Sequence, residues 1–241
     1  MLFFPPNLFQ INAYSLKYCI LLRKDTYSGP KHRPMLPFET STTFFLASLL
    51  LALVPGPDNI FVLTQSALQG KSAGLAVTLG LCTGLIVHTT AVAFGVAVIF
   101  RTSAIAFTVL KSLGACYLLY LAWKAFRAAA TSTSVGKGSE APSAKLYQRG
   151  IIMNITNPKV SIFFLAFLPQ FADPGRGSLT VQLILLGGIF IIATILVFGG
   201  IAVLAGTLGG WLNRSAKTRQ TMNRIAGGIF VGLALKLLTS Q

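Results

Sequence analysis

The chain predicts an all-α polytopic membrane protein: six transmembrane helices in two inverted three-helix repeats, the first and fourth broken at proline. Three observations lead there. The 241 residues are 54% hydrophobic and only 10% charged, with a mean hydropathy of +0.71, too little polar surface to coat a soluble globule. Apolar segments of about 20 residues, the length a bilayer core of roughly 30 Å requires, recur along almost the whole chain. Two of them, the first and the fourth, carry a similar interruption, Gly56-Pro57-Asp58 and Asn157-Pro158-Lys159.

Taken in order, the segments run over 43–68, 73–100, 104–126, 150–171, 179–208 and 221–239. Their apolar residues surround the helix instead of alternating, which excludes a membrane β-barrel reading. In the first, LALVPGPDNIFVL, Pro55 and Pro57 flank Gly56. Each proline removes a backbone donor and clashes with the preceding turn, so the span should split into two half-helices. Gly56 and Asn157 are the expected caps of the second half-helices, with Pro57 and Pro158 at their first helical positions. In the second span Gly80, Gly84 and His88 recur at four-residue steps and share a face, where small residues permit close helix contact. The third reads KSLGACYLLYL from Lys111 and the sixth RIAGGIFVGLA from Arg224. Both open on a basic residue, with a glycine three places on and an aromatic three further.

The net charge of +15 is explained by topology. With residue 43 starting outside, the inner loops and span ends hold Lys71, Lys124, Arg127, Lys137, Lys145, Arg149, Arg214, Lys217, Arg219 and Arg224, against Arg101, Arg176 and Lys236 outside. The positive-inside rule then places both ends of the six-helix unit in the periplasm and residues 127–149 and 209–220 in the cytoplasm. A nucleic-acid surface would need contiguous charge interleaved with aromatics, and no nucleic-acid partner is expected. Residues 1–34 carry Lys17, Arg23, Lys24, Lys31 and Arg33, which oppose that orientation. Their apolar part, 13–22, is too short to span. They are expected to be an N-terminal extension outside the fold, disordered or never translated, with Met35 as the start. Residues 35–126 then form the first repeat and 150–241 the second. Between them, 127–149 form a flexible linker rich in Ser, Ala, Gly and Thr. Three spans per half is an odd number, so the halves enter the membrane from opposite sides and any repeat is inverted.

The breaks carry the candidate chemistry. Freed backbone groups at membrane depth are tolerated only where protein or a water-filled cavity satisfies them. The half-helix N-termini suit a carboxylate and the free carbonyls of the preceding half-helices suit an ammonium. Two crossed breaks can hold a zwitterion. Asp58, the only acid inside a span, aligns with Lys159 in the repeat, and charge at that depth is usually functional. Asp58 can bind an amino group or carry a proton; the alternative is a structural ion pair locking the halves together. Asn59 is either a substrate ligand or a donor that repairs the broken backbone. His88 either relays protons or is hydrogen-bonded in the packing. Lys111, Lys124 and Lys236 read as snorkelling or interfacial residues, and Tyr117, Tyr120 and Trp123 as packing and interface anchors. Cys19, Cys82 and Cys116 have no metal-ligand spacing, so no metal or other cofactor is expected.

VPGPDNIFVL, GLCTGLIVH, LKSLGACYLLYLAWKAFR and RGIIMNITNPKVSIFFLAFLPQF together closely resemble the LysE/RhtB family of bacterial amino-acid exporters, over residues 35–240. The resemblance implies efflux of a small amino acid across the inner membrane, coupled to protons. It implies that Pro55, Gly56, Pro57, Asp58, Asn59, Asn157, Pro158 and Lys159 occupy the family's signature positions. An enzyme is not expected: neither GxSxG nor HExxH is present, and the spans offer no nucleophile with a base and no paired carboxylates. The rival readings are a metal or small-cation exporter on a related scaffold, which would want several converging ligands, and a non-transporting membrane assembly protein. The expected partners are the amino acid, protons, the lipid bilayer and a second copy in a homodimer.

Overall fold

A computed structural model describes residues 34–102, 104–127, 141–214 and 216–239. The chain divides between Pro34 and Met35 into two units; residues 1–33 of the expected extension and 128–140 of the expected linker lie outside the described residues. The described secondary structure is all-helical: α1 (Phe38–Leu53), α2 (Pro57–Gln69), α3 (Lys71–Thr102), α4 (Ala104–Arg127), α5 (Ser143–Ile155), α6 (Pro158–Ile162), α7 (Leu179–Arg214) and α8 (Ala216–Thr239). After α6 the helix widens into a π-turn over Phe163–Phe167 and tightens into a 3-10 turn over Leu168–Phe171. A further 3-10 turn covers Pro174–Arg176.

Both breaks fall where proline chemistry puts them. α1 and α2 meet at 63°, and the run Ser143–Ile155 meets Pro158–Phe171 at 49°. Gly56 caps α2 and Asn157 caps α6, each followed by proline at the first helical position, where a missing N–H costs no intrahelical bond. Among the described residues three helical stretches, Lys71–Gly95, Leu179–Ala205 and Gln220–Thr239, are long and apolar enough to cross a membrane, and up to five spans result if each bent pair is one. The remaining expected span, the third in chain order, corresponds to α4, which carries Lys111 and Lys124. Two boundaries differ from the sequence reading. α5 begins at Ser143 directly after Pro142, because Leu146 and Gly150 are already buried. Residues 209–220, expected as a loop, belong to the ends of α7 and α8 apart from the undescribed position 215. The stretch contains no proline to end either helix.

Close approaches at glycines and small residues fix how the helices run. A Cβ on Gly74 of α3 would meet Ala202 of α7 at 2.8 Å, and one on Gly187 of α7 would run into Thr89 of α3. Those two contacts make α3 and α7 antiparallel. Likewise Gly114 of α4 faces Leu237 of α8 while Gly227 of α8 faces Phe126 of α4, a second antiparallel pair. By contrast α3 and α5 run parallel: Gly80 lies against Tyr147 and Gly150, and Gly84 against Asn154. The face of small residues read on the second span is thus this α3–α5 seam.

Two apolar clusters fill the interior. One gathers Phe44, Leu85, Phe163, Phe164, Phe167 and Phe190 with α4 and α8 residues; the other gathers Val62, Val77, Leu81, Leu146 and Phe198. The hydroxyls of Ser48, Ser66, Thr78 and Thr89 bond the carbonyl four residues earlier on their own helices, which lets them sit in an apolar interior without a distant partner.

Candidate functional site

The two breaks cross. The half-helix α1 ends at Leu53, leaving its last carbonyls without intrahelical donors, and side chains take them up. The Lys159 ammonium, from the other break, donates to Leu51 O at 3.4 Å and Val54 O at 3.3 Å, and Asn59 Nδ2 donates to Ala52 O at 2.7 Å. The carbonyls that the sequence suggests would receive a substrate ammonium are therefore held by the protein's own cation and amide. Gly56 is extended, with φ −159°, so its backbone needs no glycine. Space does: a Cβ there would lie 3.3 Å from Lys159 Nζ.

Asn157 links the halves. Its Oδ1 accepts from the Lys159 backbone N–H at 3.0 Å, capping α6, while its Nδ2 donates to Asp58 Oδ2 at 3.0 Å. A residue recognisable as an N-cap from sequence thus carries a second bond, across 99 positions of chain, that no local signal announces. Asp58 and Lys159 lie close enough for their charges to interact, yet each is hydrogen-bonded elsewhere. The one ion pair within 4.0 Å among the described residues is Asp173–Arg176. A direct acid–base lock between the halves is not what the geometry provides; an amide stands between them.

His88 lies on the α3–α5 seam, with Nε2 3.2 Å from the Asn154 carbonyl and its ring 5.6 Å from that of Phe164. Asn154 is the residue the sequence reading missed. It is 2% exposed, as is Asp58, and its side chain comes within interaction range of the Asp58 carboxyl. The available signal was weak: one amide, three residues before the break, in a helix that also carries polar residues outside.

Three oxygens in this cluster, Asp58 Oδ1, Asn59 Oδ1 and Asn154 Oδ1, are buried without a hydrogen-bond partner. Buried acceptors without donors cost about 1–3 kcal/mol each, and unsatisfied buried groups are rare enough in folded proteins to require explanation. All three are acceptors, so what complements them is a donor-rich group. Of the sequence candidates, Asp58, Asn59, Asn157 and Lys159 converge here, with His88 one residue away through Asn154. Pro55, Pro57 and Pro158 shape the breaks and present no hydrogen-bonding side chain. Among the described residues no group of three or more His, Cys, Asp or Glu gathers as metal ligands.

The LysE type translocator family profile matches residues 49–241, a stretch that contains both breaks and every residue of the crossing. The chain belongs to the LysE type translocator family. It is a membrane translocator and not an enzyme. Among its relatives, the homoserine/homoserine lactone efflux protein of Salmonella typhi is 34% identical over 204 residues, covering 85% of this chain and 98% of that protein. The leucine efflux protein of Salmonella choleraesuis is 29% identical over 202 residues, 83% of this chain and 94% of that one. An uncharacterized membrane protein of Vibrio cholerae is 31% identical over 198 residues, 82% and 96% of the two chains. No solved structure matches this translocator.

Proposed function

We propose that this translocator exports a small amino acid from the cytoplasm across the bacterial inner membrane. The relatives named for homoserine and leucine efflux support that substrate class. The single observation that carries the reading is the cluster of three unpartnered buried acceptors around Asp58, set where two broken helices cross. An α-ammonium supplies three donors and a positive charge to those oxygens. The N-terminus of α2, where Pro57 and Asp58 open the helix, offers backbone N–H groups and the positive dipole end to the α-carboxylate.

Six spans in two inverted repeats are the arrangement proposed around this site. The antiparallel α3–α7 and α4–α8 pairs support it, since equivalent helices of an inverted repeat run in opposite directions. The crossing then lies near the bilayer midplane, and rocking of one repeat against the other along the glycine seam exposes it alternately to each side. Asp58 is the proton carrier: ionised, it holds the substrate ammonium, and protonated from the periplasmic side, it loses the charge that holds it. Lys159 keeps the carbonyl end of α1 satisfied and its charge near Asp58 throughout. His88 positions Asn154.

The test is uptake of a panel of labelled amino acids into inside-out membrane vesicles containing the protein, with and without an imposed proton gradient. Uptake of neutral amino acids that collapses with the gradient is the expected result. Uptake of none of them by correctly inserted protein refutes the reading.

A further inference from the structure

A polar cavity lies far from the crossing. It has a volume of about 400 Å³ and is lined by Glu39, Phe171, Asp173, Arg176, Gln182 and Lys236, among others. The start of α1, the 172–178 connection, the start of α7 and the last turn of α8 form its walls. Along α1 alone, Glu39 stands on the order of 20 Å from the break, so this is a separate site. The volume falls in the range of roughly 300–1,000 Å³ in which small-molecule pockets lie.

Its charges are not equivalent. Asp173 is fully engaged: Oδ2 accepts from Arg176 Nε at 3.0 Å and Oδ1 from the Gly175 N–H at 2.8 Å. Gln182, completely buried, clamps the same residue's backbone with two 2.8 Å bonds, Asp173 N–H to Oε1 and Nε2 to Asp173 O. That wall of the cavity is rigid. Glu39 and Lys236 have no ion-pair partner among the described residues, although both line this one cavity. Lys236, read from the sequence as a snorkelling or interfacial residue, has its ammonium 4.2 Å from the centroid of the Phe171 ring. A ring face attracts a cation without neutralising it, so the ammonium keeps its capacity to pair with an anion. Positions near opposite helix ends are favourable for both charges, but that alone does not turn them toward the same space.

We propose that this cavity is a second, peripheral amino-acid subsite, taking the α-carboxylate of a zwitterion at Lys236 and the α-ammonium at Glu39. The assignment of amino acids as ligand rests on the export reading above. With the orientation the positive-inside rule gives, the cavity opens to the periplasm and receives the exported molecule after it leaves the crossing.

The experiment is equilibrium binding of labelled homoserine and leucine to the full chain in phosphatidylglycerol nanodiscs, comparing wild type, Asp58→Asn, and Asp58→Asn combined with Lys236→Gln, Lys236→Arg or Glu39→Gln. The single variant should retain saturable binding, weakened by about tenfold or more on adding Lys236→Gln or Glu39→Gln. Lys236→Arg should restore it to within about threefold, because the charge persists. Loss of all binding in Asp58→Asn overturns the second subsite and leaves the export reading standing. Residual binding indifferent to Lys236 and Glu39 overturns it as well, and a wild type that binds neither amino acid overturns both. Residual binding that vanishes in phosphatidylethanolamine nanodiscs would make the cavity a zwitterionic lipid headgroup site instead.

Discussion

Adding one methyl group to the α3–α5 seam should be among the most damaging small changes in this protein. A Cβ on Gly150 would lie 2.5 Å from Val77 O and 3.1 Å from Gly80 Cα, and one on Gly80 would run into Tyr147 O and lie 3.0 Å from Gly150 Cα. Carbon atoms pack at roughly 3.5–4.0 Å, so the helices must part by about 1 Å. The obstacles are backbone, and no rotamer can yield. Overpacking costs about 1–3 kcal/mol, here toward the upper end, while alanine's helix propensity returns about 1 kcal/mol. A net loss of about 2 kcal/mol follows for Gly80→Ala or Gly150→Ala. Gly228 of α8 has nothing within 4 Å of its notional Cβ, so Gly228→Ala should gain about 0.5–1 kcal/mol from propensity. At about 2–4 °C per kcal/mol for a chain of this size, the seam variants and the control should differ by roughly 5–12 °C in thermal unfolding midpoint in detergent. The seam variants should also transport poorly, because parting α3 from α5 pulls His88 away from the Asn154 carbonyl and so disturbs the amide that lies beside Asp58. Seam variants as stable as Gly228→Ala would refute the packing argument.

Three further substitutions probe the crossing. Lys159→Met leaves Leu51 O and Val54 O without donors, a loss of about 3–5 kcal/mol, and should abolish uptake while lowering the yield of folded protein on gel filtration. Asn157→Ala removes the α6 cap, about 1 kcal/mol, together with the bond to Asp58. Denaturant titration should show a loss above that of a cap alone, and vesicle uptake should fall at least about tenfold. His88→Gln keeps a donor toward the Asn154 carbonyl, so uptake should persist within a few-fold with an unshifted pH profile; a displaced profile would show that His88 itself carries protons.

Much of the crossing was legible because proline and glycine act locally. Pro57 and Pro158 mark their half-helix starts by chemistry that needs no tertiary context, and a lone Asp58 in an apolar span identifies itself. What the sequence withheld depends on chain-distant geometry. Lys159 aligned with Asp58 as an apparent counter-ion, but its ammonium goes to the carbonyls that the first break exposes. Asn154 resembles any amide until α3 lies against it. The π-turn at Phe163–Phe167 has no partner in the first half and no composition signal, since its phenylalanines read as ordinary core. Lys236 reads as interfacial from its place at a helix end, but sequence cannot say that Phe171 and a cavity lie beside it. The linker boundary shifted for a related reason: Ser143 to Arg149 are polar enough to read as loop, and only the burial of Leu146 against α3 makes them helix.

Asp58→Asn in inside-out vesicles tests the central claim most directly, with uptake of the best amino acid substrate measured at several imposed proton gradients. The variant keeps the size and one acceptor oxygen but cannot ionise. Uptake that is lost, or that persists without any response to the gradient, is the predicted result. Uptake that still rises with the gradient as in the wild type would contradict Asp58 as proton carrier and leave it a structural partner of Asn157.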